Sequence, residues 1–155
     1  LSLGKKKVLI IDTNFSNNAL TRELDGKLAL GGHNIASDDF MEIMRFVRPT
    51  RIPNVDILGC SRGDYSPSEV FPEGRFINKL KEIGSQYDYV FLEGSAMNQY
   101  TDSKELTRYV EGVILVFAAD SVIKPWDKES IAFLEKQGTR FIGSILNKIK
   151  TENIN

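Results

Sequence analysis

Internal disulfides are excluded in this chain, because Cys60 is its one cysteine in 155 residues. A single thiol also rules out a multi-cysteine zinc site, and it suits a reducing, cytosolic setting. Histidine is equally scarce: His33 has no partner at metal-ligand spacing and reads as a surface-loop residue. An excess of charge is missing too. Twenty basic residues face 21 acidic ones, for a net charge of −1. A chain-wide electrostatic hold on nucleic acid or anionic lipid is therefore not expected. No apolar run approaches the ~20 residues of a membrane-spanning helix, and no signal-peptide pattern opens the chain. Position 1 is Leu1 rather than methionine, and strand-like sequence follows almost at once, so a piece of a longer polypeptide is expected. Internal repeats and low-complexity segments are absent. What remains is one soluble domain over 1–150, within the ~100–150 residues usual for one domain, and a flexible tail over 151–155.

Five apolar runs are predicted strands: Val8–Ile11, Val55–Leu58, Tyr89–Leu92, Val113–Phe117 and Phe141–Leu146. Most are nearly continuous rather than alternating, as suits strands covered on both faces. Between them lie helical spacings. Phe40, Ile43, Met44 and Val47 form one stripe, and Phe76, Ile77, Leu80 and Ile83 nearly repeat it. Ile131 and Leu134 anchor a third, polar-rich helix. Ser66-Pro67-Ser68-Glu69 is a capping box with proline at the first helical position. Asp102-Ser103-Lys104-Glu105 offers a similar cap, Lys124-Pro125-Trp126 marks another helix start, and Gly138 closes that helix. Residues 25–39 read as a loop. Strand–helix alternation of this kind predicts an α/β fold of three layers, a mostly parallel sheet with helices on both faces.

In open α/β sheets, ligands bind beyond the carboxyl ends of the strands. The residues following the strands are Asp12-Thr13-Asn14, Gly59-Cys60-Ser61-Arg62, Glu93-Gly94-Ser95, Ala118-Ala119-Asp120 and Asn147-Lys148. Parallel strands would bring them all to one rim. Asp12 and Glu93 carry the most information. An acid directly after an apolar strand can hold Mg²⁺ or position a water beside phosphates, and it can equally well just solubilise a strand end. Other features have plain structural readings. Lys5-Lys6-Lys7 is a solvated lead-in to a strand, Cys60 lacks surroundings that would guarantee reactivity, and Trp126 either anchors a partner or covers a sheet edge.

The order of motifs adds a resemblance. Lys6–Asp12 is similar to the strand of a P-loop ATPase subclass that ends in a D-x-D motif, and Tyr87–Glu93 is similar to that subclass's Walker B strand. Arg48–Gly59, with Ile52-Pro53-Asn54-Val55-Asp56 at its centre, resembles an "IPNLDVLPAG" stretch. Ser66–Val70 follows it like an "NPSELL" element. Thr101-Asp102, Gly112–Phe117 and Ile142–Lys148 complete the series. This set resembles the cytoplasmic domain of bacterial tyrosine kinases of capsular and exopolysaccharide biosynthesis, over about Lys5 to Lys150.

The resemblance implies a P-loop NTPase-like fold, with ATP and Mg²⁺ as cofactors if a Walker A segment accompanies the chain. Asp12 and Glu93 would then be catalytic and Mg²⁺-binding positions, and Asn14 and Asn147 nucleotide-binding ones. It also implies a membrane polysaccharide co-polymerase as partner, whether a fused domain or a separate protein, and possible homo-oligomers. Nucleic acid is not an expected partner. The location implied is cytoplasmic, at the inner membrane. The chain departs from the pattern in several places. No G-x-x-x-x-G-K-[ST] motif occurs in the 155 residues. Asn14 stands where the family has its second aspartate, and Glu93 stands at the Walker B aspartate. No tyrosine follows Lys148. The expectation is a regulatory domain of exopolysaccharide, capsule or lipopolysaccharide biosynthesis, inactive as given. The alternatives are an active tyrosine kinase or ATPase whose Walker A segment lies outside this sequence, and a partition-type P-loop ATPase relative.

Overall fold

The computed structural model describes residues 4–31, 40–70, 75–99 and 101–150. His33, part of the loop predicted over 25–39 and the tail 151–155 lie outside the described residues. The chain divides into two compact units, Leu1–Ser95 and Ala96–Asn155.

The first unit holds strands β1 (Val8–Asp12), β2 (Arg48–Pro49), β3 (Val55–Leu58) and β4 (Tyr89–Glu93). Its helices are α1 (Ala19–Glu23), α2 (Phe40–Met44), α3 (Pro67–Val70) and α4 (Arg75–Gly84). The strands lie in the order β2-β3-β1-β4. β1 is central and pairs in parallel with both β3 and β4, Asp12 standing opposite Glu93. Leu9, Ile11 and Leu58 join Ile43 of α2 and Ile83 of α4 in one buried cluster. On the other side of the strands, Val8, Ile10, Val55 and Phe91 line an apolar cleft of about 430 Å³ together with Leu20 and Ile52; Glu93 is at its border. β1 thus has apolar contacts on both faces, as its unbroken apolar run predicts.

Two elements of this unit escape the sequence reading. α1 is five residues long, too short for a helical stripe to show. β2 is a two-residue antiparallel strand, with Arg48 opposite Ile57 and Pro49 opposite Asp56. The segment Thr50–Val55 is consequently a hairpin loop. Thr50 N–H donates to the Val55 carbonyl at 3.0 Å, and the Thr50 hydroxyl accepts from Ile52 N–H at 3.1 Å. Asn54 turns the chain with φ +61°, a left-handed conformation that asparagine tolerates better than most residues. The predicted capping box forms: Ser66 N–H donates to the Glu69 carboxylate at 2.8 Å, and Glu69 N–H donates to the Ser66 hydroxyl at 3.3 Å. The lysine run is exposed, and Lys6 meets Asp88 at 3.0 Å.

The second unit contains the parallel pair β5 (Val113–Ala118) and β6 (Phe141–Asn147) with helices α5 (Asp102–Leu106) and α6 (Pro125–Glu135). Leu106 and Leu134 are its buried apolar side chains among the described residues. β5 alternates between half-buried Val113, Leu115 and Phe117 and exposed Ile114 and Val116, so its continuous apolar run does not mean burial on two faces. Asp102 is the first residue of α5 rather than its cap, and the residue before it, Thr101, makes no side-chain capping bond. α6 starts at Pro125 as predicted, and the Asp127 carboxylate accepts Lys124 N–H at 2.7 Å. Gly138, with φ +63°, follows α6 in a short 3-10 turn. Trp126 is 47% exposed, with the Lys124 ammonium 5.0 Å from its ring centre.

Candidate functional site

The parallel register of β1 with β3 and β4 brings three strand ends together: Asp12–Asn14, Gly59–Ser61 and Glu93–Ser95. Asp12 is fully buried, at 0% exposure. A buried carboxylate needs donors, and Asp12 has three. Its Oδ1 accepts Asn14 N–H at 3.0 Å. Its Oδ2 accepts both Thr21 N–H at 2.9 Å and the Thr21 hydroxyl at 2.6 Å. The same hydroxyl oxygen accepts Cys60 N–H at 3.0 Å. Asn18 adds a second tie to this strand end, its side-chain amide donating to the Cys60 carbonyl at 2.8 Å.

Glu93 sits across from Asp12 in a different environment. Its Oε2 is buried without a hydrogen-bond partner. Burial, and next the adjacent Asp12 charge, push its carboxyl up to about 7, while a hydrogen bond from the Asn14 side chain works in the opposite direction. Asn14 also organises its own turn: its Oδ1 accepts the Ser16 hydroxyl at 2.9 Å and Asn17 N–H at 3.1 Å. The two departures from the family pattern are therefore in contact. An aspartate at position 14 would repel a glutamate at 93, whereas the amide can donate to it.

The candidate residues are divided between the two units. Asp12, Asn14 and Glu93 meet in the first unit. Asn147 belongs to the second unit, where its side chain accepts Lys148 N–H at 2.8 Å and its carbonyl accepts Ala119 N–H at 2.8 Å. Cys60 is fully buried, and burial, with the Asp12 charge second, raises its thiol well above the ordinary value. Thr21 is the residue that sequence reasoning missed. It lies nine positions beyond Asp12 on a helix without periodicity, and no motif marks it.

A directly coordinated Mg²⁺ does not fit these residues. A carboxylate offers about four lone-pair directions, and three of those on Asp12 are occupied. Among the described residues no group of three or more His, Cys, Asp or Glu side chains could hold a metal ion.

No family model matches the chain. It is 27% identical over 103 residues to "Putative tyrosine-protein kinase CapB" of Staphylococcus aureus, a match covering 66% of this chain and 45% of that protein. It is 29% identical over 150 residues to "Tyrosine-protein kinase wzc" of Salmonella typhi, covering 96% of this chain and 21% of that one. The chain thus spans less than half the length of these relatives. Among solved structures, the chimerical protein CapA2B2 aligns with TM-score 0.79 at 19% identity, over 96% of this chain and 65% of the other. The kinase domain of Escherichia coli tyrosine kinase ETK aligns with TM-score 0.79 at 22% identity, over 99% and 60%. The fold is α/β of the P-loop NTPase type, and the relatives of this chain are bacterial tyrosine-protein kinases.

Proposed function

We propose that this chain is a kinase-like regulatory domain of exopolysaccharide, capsule or lipopolysaccharide biosynthesis, and that these 155 residues act through protein contacts rather than phosphoryl transfer. One observation carries the reading: the strand-end acid Asp12 is engaged with the protein itself. Asp12 is bonded to Thr21 and Asn14, and beside it burial and the Asp12 charge raise the Glu93 carboxyl to about 7. Phosphoryl transfer relies on cations and donors aimed at the phosphates, whereas the facing strand ends of β1 and β4 present the buried Asp12 and the partly buried Glu93. The partner proposed is a membrane polysaccharide co-polymerase, fused or separate, with this domain on the cytoplasmic side of the inner membrane and able to form homo-oligomers. Among the described residues no helix is long and apolar enough to cross a membrane. The test is ATP turnover and autophosphorylation of the 155-residue chain with Mg²⁺. No turnover is expected. Turnover that disappears in Glu93→Gln, with the fold retained by circular dichroism, would sink the reading.

A second reading is favoured by the lengths of the relatives. The aligned structures are longer than this chain, which covers 65% and 60% of them. On this reading, a segment bearing G-x-x-x-x-G-K-[ST] in the same polypeptide supplies the phosphate cradle, and the whole polypeptide is an ATP-dependent tyrosine kinase. Sequence upstream of Leu1 and an ATPase assay on the whole polypeptide separate the two.

A further inference from the structure

We infer that Asp12 is a fastener of the fold rather than a ligand, and that the Asp12–Glu93 pair takes no divalent cation directly. The argument starts from donors and acceptors. Asp12 receives three hydrogen bonds, two of them from Thr21, and has no exposed surface. Thr21 is itself buried, at 1% exposure, and through its hydroxyl passes the connection on to the backbone of Cys60. One carboxylate thus joins the end of β1 to α1 and, by way of Thr21, to the chain leaving β3. The fit is close on the far side as well: a Cβ at Gly59 would lie 2.7 Å from Thr21 Cγ2 and 2.5 Å from the Lys27 carbonyl oxygen. Drawing Asp12 out to a cation would strand the Thr21 hydroxyl and two backbone N–H groups, each in need of a partner.

Glu93 cannot make up the difference. Mg²⁺ keeps near-octahedral geometry, commonly with one or two carboxylates and several waters. Glu93 has one unpartnered oxygen, and the cleft it borders is lined by Val8, Ile10, Phe91 and Leu92. Those side chains offer nothing to the waters that would complete the shell, and of the polar groups beside Glu93, Asp12 is already bonded and the Asn14 amide already donates to Glu93. The strand-end acids therefore serve cohesion, and α1 is held in place by a charge that a sequence pattern would assign to chemistry.

Two measurements on the full 155-residue chain decide this. The first is an amide NMR titration with Mn²⁺, a paramagnetic substitute for Mg²⁺. Weak, unselective broadening is expected. Selective broadening of the amides of residues 12–14 and 93–95 that Glu93→Gln abolishes would overturn the cation half of the inference. That result could occur with no ATP turnover, so it is separable from the functional reading. The second is urea unfolding of Thr21→Val, Thr21→Ser and Asp12→Asn. Loss of a buried hydrogen-bonded hydroxyl should lower the Thr21→Val midpoint by about 0.5–1 M, and Thr21→Ser should retain most of the stability. The double variant Asp12→Asn/Thr21→Val should lose much less than the sum of the singles, because both break the same bonds. A wild-type midpoint for Thr21→Val, or additive losses, would overturn the fastener. If Asp12→Asn fails to fold, the two Thr21 variants still decide the matter.

Discussion

Glu93 and Asn14 act as a pair, and their chemistry has a measurable pH signature. The Glu93 carboxyl rises from 4.5 to about 7 on folding. A raised carboxyl pKa means that the folded state holds its proton more tightly than the unfolded state. The favourable contribution is complete below about pH 4.5 and is lost as pH climbs through 7. At 1.36 kcal/mol per pKa unit the ceiling is ~3 kcal/mol, and partial solvent access reduces this to roughly 1–2 kcal/mol. Urea unfolding between pH 4.5 and 8 should show the decline, and Glu93→Gln should flatten it; an unchanged slope in Glu93→Gln would refute the assignment. Asn14→Asp restores the family's acid but removes a donor and adds a like charge. It should cost about 1–2 kcal/mol at pH 8, with a smaller penalty at pH 5, measured in the same way. Cys60 gives a third residue-level expectation. Fully buried and with a raised pKa, its thiol should resist Ellman's reagent in the native protein and react fully in denaturant. Rapid stoichiometric labelling of the folded chain would contradict this.

Short helices and turns were legible where side chains bond locally. The Ser66–Glu69 box is a contact of three residues' reach and formed as the motif indicates. Ser66→Ala should cost about 0.5–1 kcal/mol, since an N-cap hydroxyl is lost at an exposed helix start; a thermal melt within error of wild type would count against the cap. The hairpin Arg48–Leu58 was less transparent. Its Ile52-Pro53-Asn54 centre, part of the family-like motif, turns a two-residue antiparallel strand back onto β3. α1 left no periodic trace in five residues, because its position is fixed by Thr21 meeting Asp12 rather than by an apolar stripe.

The two ends of the first sheet differ. β2 is two residues long and contains Pro49, a form that discourages further pairing. β4 is five residues, without proline or lysine, and pairs only with β1 among the described residues. The carbonyl of Glu93 and the N–H of Tyr89 point toward β1. Alternation then leaves the backbone groups of Val90 and Leu92 on the outer edge. Tyr89 and Phe91 are 43% and 41% exposed and stack on one another. An apolar, unprotected edge promotes association, so light scattering of the 155-residue chain should reveal concentration-dependent oligomers or aggregates that Phe91→Lys reduces. Identical scattering from both proteins would remove β4 from consideration. The described strands form a four-stranded and a two-stranded sheet.

Much follows from the order of residues alone. Apolar runs located β1, β3, β4, β5 and β6, and the crossovers between them required parallel pairing. Parallel pairing in turn brought Asp12 and Glu93 to neighbouring strand ends, since alternation and burial are local consequences of side-chain type. The state of each acid is a different kind of property. Asp12 takes two of its three hydrogen bonds from a threonine nine residues away, Glu93 is perturbed by an acid on a strand distant in sequence, and Asn14 donates to Glu93. Desolvation and donor geometry depend on which atoms surround a carboxyl group in three dimensions. No spacing in the chain encodes that, because the register of β1 against β3 and β4 sets it and the register exists only once the sheet has formed.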